Sequence, residues 1–280
     1  MVVLSFIANS IGVSDRISER KTMSKNTRRG YTPEDERLFS EKSCHSLYKA
    51  AKDLKYLLDA GYPIKPASTF IGNHYLFNER QRLAITRVVS SKNSVDLRQK
   101  KRLAKADCIT EVNIDGFNTV ISLEVALSKA PILKCMDQTM RDLAGLRGTY
   151  RIIEKTEIAI HEIFHWLGQN GIQKANLYLD APVSNSGRLK VLFYELSKSY
   201  PIELKVEVIH EVDRILEKAE HVITSDAIIL DRCKSWLNMN EDIIKHLKEP
   251  AWVIDFVNES MDSMTDQGLD SLCTKHRTVL

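Results

Sequence analysis

Three aspartates of this sequence follow predicted β-strands at the point where each strand ends, namely Asp115, Asp180 and Asp226. In an open α/β sheet, ligands gather at the carboxyl ends of the strands, so we expect these carboxylates to meet at one edge. A single aspartate at such a junction is commonly only a turn residue or a helix N-cap. Its recurrence at successive strand ends favours a functional site.

Converging carboxylates repel one another unless protons or metal ions intervene. Oxygen-only ligand sets suit Mg²⁺ or Mn²⁺, and waters complete the coordination where a substrate phosphate can enter. Asp142, shortly after the second predicted strand, is a further candidate ligand. We therefore predict a magnesium or manganese site on Asp115, Asp142, Asp180 and Asp226 that assists in-line attack on phosphorus.

The segment Pro182–Arg188 follows Asp180 and leads into a predicted helix. Ser186 is the expected N-cap, and the free N–H groups of the first turn, with Ser184 and Arg188, could hold a phosphate. Asn118, at the start of the helix after Asp115, is predicted to contact substrate as well. An ordinary proline turn with a cap fits Pro182–Arg188 equally well.

Basic residues concentrate in the N-terminal part of the chain. Residues 1–105 carry 21 Lys and Arg against 10 Asp and Glu, whereas the remainder carries 19 against 27. Between Arg80 and Lys105 there are nine basic residues and one acidic residue. A solvated helix face or linker explains such a run about as well as a phosphate-binding strip. The residues predicted to bind a nucleic-acid backbone are Arg98, Lys100, Lys101 and Arg102. Tyr31, Phe39, Tyr48 and Tyr56 fit core packing better than base stacking.

A competing motif, His161-Glu162-Ile163-Phe164-His165, has the H-E-x-x-H spacing of zinc peptidases. Two histidines four residues apart share a helix face and could bind zinc, with Glu162 activating water. Gly171, however, stands where a third histidine would be expected. The apolar positions of the same helix place both histidines roughly 130° from the centre of its buried stripe. A solvated helix face is therefore the favoured interpretation.

The elements that must position these residues alternate after residue 106. Short apolar runs predict strands at 111–114, 132–136, 176–179, 204–209, 221–224 and 252–256. Amphipathic segments predict helices at 119–127, 156–167, 187–197, 212–219 and 227–236. This alternation is typical of an α/β fold with a doubly wound, mostly parallel sheet. Upstream, helical signals run from Thr32 to Leu58 and recur at 66–75 and 79–89.

We divide the 280 residues into a flexible extension (1–28), a basic helical domain (29–105), an α/β domain (106–257) and a polar tail (258–280). Met23 is an alternative start to Met1. The composition is that of an ordinary globular protein, with no span that would cross a membrane. The five scattered cysteines contain no C-x-x-C pair, which favours a reducing cytoplasm. The oligomeric state is left open.

Two resemblances carry these expectations further. Asp115–Asn118 and Val222–Asp226 resemble the first and last metal-binding strand ends of PIN and NYN nuclease domains. The whole chain from 29 to about 257 resembles the archaeal family known as domain of unknown function 434, through Arg29–Arg37, Asp115–Asn118, Arg141–Gly145 and Pro182–Arg188. The PIN/NYN resemblance implies metal-dependent RNA cleavage, with Asp115 and Asp226 in matching positions. Asp142 and Asp180 stand in for the helix-borne acid of those domains.

These observations predict a metal-dependent ribonuclease that hydrolyses phosphodiester bonds through Asp115, Asp180 and Asp226. Its basic helical module is expected to bind nucleic acid, with RNA favoured over DNA. Two alternatives stay open: a nucleic-acid-binding protein with a degenerate nuclease fold, and a zinc metallopeptidase using His161, Glu162 and His165.

Overall fold

A computed structural model describes residues 27–104, 109–145 and 148–257 of the chain. The predicted N-terminal extension, apart from its last two residues, and the predicted polar tail lie outside these residues. The helices, numbered along the described chain, are α1 (Asp35–Leu38), α2 (Glu41–Asp59), α3 (Ile64–His74), α4 (Glu79–Val88), α5 (Lys92–Lys101), α6 (Gly116–Leu127), α7 (Glu154–Gln169), α8 (Ser186–Ser197), α9 (Val212–Leu216), α10 (Ala227–Arg232) and α11 (Met239–His246). The strands are β1 (Glu111–Asp115), β2 (Ile132–Lys134), β3 (Met140–Asp142), β4 (Lys174–Asp180), β5 (Glu203–Ile209), β6 (Val222–Ile223) and β7 (Val253–Asp255).

In the helical part, α1 to α5, side-chain N-caps begin three of the five helices. The side chain of Ser40 accepts a hydrogen bond from the Ser43 backbone and begins α2, so the single helix expected from Thr32 is interrupted there. Asn78 begins α4 with a capping box completed by Gln81. Ser91 caps α5, so the last part of the basic segment before residue 105 is helical. Each cap satisfies backbone N–H groups that the first helical turn leaves without partners.

The larger sheet has the strand order β5–β4–β1–β6, and all of its strands are parallel. Its central strands β1 and β4 bury Val112, Ile114, Leu177 and Leu179 on one face, in the core that they share with α6, α7 and α8. The predicted α/β class with a mostly parallel sheet is therefore confirmed.

A second sheet, of order β3–β2–β7, is separate from the first. β2 pairs in parallel with β7 but antiparallel with β3, which the sequence analysis did not predict. The expectation of one doubly wound sheet is thus corrected, because predicted strands 132–136 and 252–256 pair with each other away from β1. This small sheet packs against the N-terminal helices: Leu133 and Ile254 share a core with Leu47 and Ile85.

Of the helices in the described parts of the chain, none is long and apolar enough to cross a membrane.

Candidate functional site

Asp115 ends β1 and begins α6 at the carboxyl edge of the larger sheet. Its side chain is 7% exposed, and its Oδ1 accepts the Asn118 backbone N–H at 3.4 Å as a helix cap. Next to it, Gly116 allows α6 to begin close to β4, since a Cβ there would lie 2.9 Å from the backbone oxygen of Tyr178. Any side chain at Gly116 would push α6 away from the sheet.

The pKa of Asp115 is raised from its ordinary value to about 7. Burial is the largest cause, and the negative charges of Asp226 and Asp180 add to it, against the hydrogen bonds from Thr224 and Asn118. Three aspartates far apart in sequence therefore interact electrostatically at one sheet edge. A cation at this edge would relieve both the burial cost and the repulsion.

Thr224 joins Asp115 to Asp226. Its hydroxyl donates to Asp115 Oδ2 at 2.8 Å and accepts the Asp226 backbone N–H at 3.0 Å. Asp226 caps α10 through Oδ1, which accepts the backbone N–H groups of Ile228 and Ile229 at 2.8 and 3.2 Å. Among the described residues, Asp226 Oδ2 has no hydrogen-bond partner, so this oxygen is free to bind a ligand.

A fourth acid, Asp213, joins this edge and was missed in the sequence analysis. It lies on α9, directly after β5, and its pKa is raised by burial and then by the charges of Asp226, Asp180 and Glu217. Burial also raises the pKa of Asp180, the last residue of β4. All four strands of the sheet thus deliver an aspartate. The strand-end pattern, applied to the predicted strand 204–209 as well, would have found Asp213.

The carboxylates do not form a finished metal site as they are arranged. In the chain as far as it is described, no three His, Cys, Asp or Glu side chains form a group that could hold a metal ion. The donor chemistry nevertheless fits a hard divalent cation, because the four acids offer only oxygen ligands and repel one another. Side-chain movement would be needed for three of them to share one ion.

Asp142 does not join the other aspartates. It lies on β3 in the second sheet, where Oδ2 accepts the Ser122 hydroxyl at 2.9 Å and Oδ1 accepts the Ala144 backbone N–H at 2.8 Å. The Arg87 guanidinium is 3.7 Å from Oδ1. Because both oxygens are engaged, the assignment of Asp142 as a metal ligand is corrected to a structural role.

Arg141, also on β3, contacts the loop that carries Asp226. Its Nε donates to the Ser225 backbone oxygen at 2.8 Å, and its Nη2 lies 2.5 Å from Asp137 Oδ2. The sequence motif around Arg141 and Asp142 drew attention to the acid, whereas the arginine is the residue that contacts the site. No local pattern signals this, since the contact joins positions 84 residues apart.

Asn118 also positions the same loop. Its Oδ1 accepts both the backbone N–H and the hydroxyl of Ser225, at 2.8 and 2.9 Å. Its amide Nδ2 has no partner among the described residues, so the predicted substrate contact is compatible with this geometry.

The turn before α8 differs from the prediction in its cap. Asn185, at a positive φ of 62°, is the N-cap residue, while Ser186 is the first helical residue and is buried. Ser184 is hydrogen-bonded to the backbone of Tyr150: its hydroxyl donates to the Tyr150 carbonyl oxygen at 3.0 Å and accepts the Tyr150 N–H at 2.8 Å. Arg188 is exposed and has no ion pair among the described residues. Of this segment, Arg188 has the side chain most available to a phosphate.

The four basic residues predicted to bind a nucleic-acid backbone divide into two classes. Arg98 is 3% exposed, and its guanidinium bonds Asp137 at 2.6 Å, Asp231 at 2.7 and 3.0 Å, and Ser90 at 2.9 Å. Arg102 bonds Gln138 at 2.6 Å and Glu241 at 2.9 Å. Their predicted role is therefore corrected to internal ion pairing.

Lys100 and Lys101, in contrast, have no hydrogen-bond or ion-pair partner for their side chains among the described residues. Lys100 is exposed and Lys101 is half-buried. Their predicted contact with a nucleic-acid backbone stays a prediction.

The H-E-x-x-H segment lies in the middle of α7, and its histidines face away from the buried stripe, as expected. His161 Nδ1 lies 2.7 Å from the Tyr200 hydroxyl, and His165 is exposed beside the same ring. The third ligand of a zinc site is missing from the described residues. The arrangement gives no support to a zinc peptidase.

Comparison with known proteins places the chain in a family. The uncharacterized protein MJ0935 of Methanocaldococcus jannaschii is 35% identical over 207 residues, which are 73% of this chain and 99% of the relative. The chain belongs to the family of that protein. The family described as Protein of unknown function (DUF434) matches residues 46–101, which confirms the predicted resemblance in the helical part but not its extension to about residue 257. The family described as Domain of unknown function (DUF5616) matches residues 107–242, which include Asp115, Asp180, Asp213 and Asp226. No solved structure matches the chain.

Proposed function

We propose that this protein is a metal-dependent nuclease that hydrolyses phosphodiester bonds of RNA, with a PIN/NYN-like α/β domain. The observation that supports it most is the raised pKa of buried Asp115, caused in part by the charges of Asp226 and Asp180. A buried carboxylate beside other negative charges is costly to ionise, and such perturbed groups cluster at functional sites. A divalent cation is the partner that such a set lacks.

Asp115, Asp180 and Asp226 would hold Mg²⁺ or Mn²⁺, and Asp213 lies close enough to interact with two of them. When bound, the ion would activate a water and stabilise charge developing on phosphorus. Thr224 and Asn118 keep the loop that carries Asp226 against β1. Arg188, in the first turn of α8, would bind a substrate phosphate, and its charge would orient the scissile group.

The test of the nuclease is the loss of cleavage in the Asp115→Asn variant. With purified wild-type chain, we expect Mn²⁺-dependent cleavage of a labelled single-stranded RNA, and at least about a hundredfold less with Asp115→Asn. Asp142→Asn is the matched control, since it makes the same substitution at a buried aspartate that lies outside the cluster. Cleavage by Asp115→Asn at the wild-type rate would reject the proposal.

The second candidate is a nucleic-acid-binding protein whose nuclease fold is degenerate. It is favoured by one observation: as arranged, the described acids form no group of three that could hold a metal ion. Retention of RNA with no turnover in Mg²⁺ or Mn²⁺, and no heat of metal binding by calorimetry, would favour this candidate.

A further inference from the structure

One face of α2 forms a continuous basic stripe that the sequence analysis did not single out. Its members recur at intervals of three and four residues: Lys42, His45, Lys49, Lys52 and Tyr56. At 3.6 residues per turn they fall within an arc of about 80° and span about 21 Å along the helix. The buried residues of α2, such as Leu47 and Leu54, lie on the opposite side.

The stripe presents charge that the protein does not neutralise. Lys42, Lys49 and Lys52 have no ion pair or hydrogen bond within the described residues, and the first two are exposed. Of the three acids of α2, Glu41 is exposed beside Lys42, and the other two are engaged elsewhere. Asp53 accepts the Tyr75 hydroxyl at 2.6 Å, and Asp59 pairs with Lys55 at 2.5 Å. Uncompensated lysines along one face attract a polyanion.

Tyr56, at the end of the stripe, is 74% exposed. Of the four aromatic residues expected in the core near the basic segment, Phe39 is buried at 3% exposure, whereas Tyr56 is not packed. Two further aromatic residues, Tyr62 between α2 and α3 and Phe70 on α3, are 59% and 64% exposed. Lysines combined with exposed rings are typical of surfaces that bind single-stranded nucleic acid, where rings stack on bases.

We propose that the α2 stripe binds single-stranded nucleic acid, with Lys42, Lys49 and Lys52 contacting phosphates and Tyr56 stacking on a base. The proposal rests on the nucleic-acid substrate of the proposed function but not on its catalysis. It places the binding surface on α2, in addition to Lys100 and Lys101 at the end of α5. Duplexes are excluded as preferred ligands, because their bases are stacked internally and unavailable to Tyr56.

The test measures binding of the full chain to labelled 20-nucleotide single-stranded RNA and DNA by fluorescence anisotropy, in EDTA so that cleavage does not occur. The triple variant Lys42→Gln/Lys49→Gln/Lys52→Gln should reduce the slope of log affinity against log salt by about 2, at about 0.7 per phosphate contact. The control, Lys198→Gln/Lys218→Gln/Lys248→Gln, removes the same charge from exposed lysines of the α/β part and should leave the slope unchanged. Tyr56→Ala should weaken binding about tenfold, whereas Tyr56→Phe, which keeps the ring, should bind with the wild-type affinity.

Equal effects of the two triple variants would overturn the proposal, since they would show nonspecific attraction to net charge. So would equal affinity for duplex RNA, or the absence of wild-type binding at low salt. Comparison of the affinities for the RNA and DNA strands shows which sugar is preferred. A stripe-dependent affinity together with no cleavage in Mn²⁺ would support the stripe and reject the nuclease. Cleavage in Mn²⁺ that the stripe substitutions leave unchanged would support the nuclease and reject the stripe.

Discussion

At the scale of single residues, the site is distinguished by carboxylates that are costly to ionise. Asp115 is buried, and in the described part of the chain its side chain has a threonine hydroxyl and one backbone N–H as partners. Two arginines nearby are used elsewhere: Arg141 contacts the Ser225 backbone and Asp137, and Arg98 pairs with Asp137 and Asp231. Neither of these two arginines therefore hydrogen-bonds Asp115.

The raised pKa of Asp115 predicts the pH dependence of stability in the metal-free protein. Because the pKa of about 7 in the folded state exceeds the ordinary value of 3.8, the folded state binds more protons between these values. The free energy of unfolding contributed by this group therefore falls as pH rises from 4.5 to 8, by about 3 kcal/mol. Urea unfolding in EDTA should show this loss in wild-type protein and a smaller loss in Asp115→Asn, in which Asp180 and Asp213 keep their raised pKa. Parallel pH profiles for the two proteins would contradict the assigned shift.

At the scale of elements, an ion-pair network joins the helical part to the site. Arg98 on α5 contacts Asp137, in the turn between β2 and β3, and Asp231 on α10. Asp137 also pairs with Arg141, which reaches the loop before α10. Burial opposes the charge on Arg98, but the hydrogen bonds and charges of Asp231 and Asp137 outweigh it and raise its pKa. The network fixes α5, β3 and α10 to one another.

Breaking this network should destabilise the protein far more than removing an exposed charge two residues away. Arg98→Gln would leave the buried Asp137 carboxylate without one of its two cations, at a cost of about 3–5 kcal/mol. Lys100→Gln, which removes the same charge from the exposed face of α5, should change stability by less than about 0.5 kcal/mol. Midpoints of urea unfolding at pH 7 compare the two. If both variants have the same midpoint of urea unfolding, the ion pairs of Arg98 do not stabilise the protein as predicted.

At the scale of the whole molecule, the cores follow the packing of the two sheets and not the order of the chain. The helices of the N-terminal part share buried contacts with the second sheet, through Leu133, Leu143, Ile254 and Phe256. The parallel sheet forms a second core with α6, α7 and α8, which includes Ile114 and Phe164 and also Ile132 and Met140 of the second sheet. The second sheet therefore depends on residues from both parts of the chain.

This shared core predicts that the α/β part is not stable by itself. A fragment of residues 109–257 would expose the apolar side chains of the second sheet that now face the helices. We expect it to unfold at a lower temperature than the full chain and to bind a hydrophobic dye, as exposed apolar patches do. Differential scanning calorimetry of both proteins measures the difference. A fragment that unfolds at the temperature of the full chain would show that the helices contribute nothing to this core.

Part of this molecule was predictable from the sequence by itself. Apolar runs and the residues after them located β1, β4 and β6 and the aspartates at their ends, because strand periodicity and helix capping are local properties. The coarse α/β class with a parallel sheet followed from the alternation of elements, since parallel strands need crossover helices.

Only the tertiary structure decided which charges are free. From the sequence, Arg98 and Lys100 look alike, and Asp142 looks like Asp115. In the fold, Arg98 pairs with residues 39 and 133 positions away, while Lys100 remains in solvent. Asp213 joins the cluster, and Asp142 is placed in another sheet. Pairing of buried charges depends on contacts that form only when distant segments pack together, and no local pattern encodes those contacts.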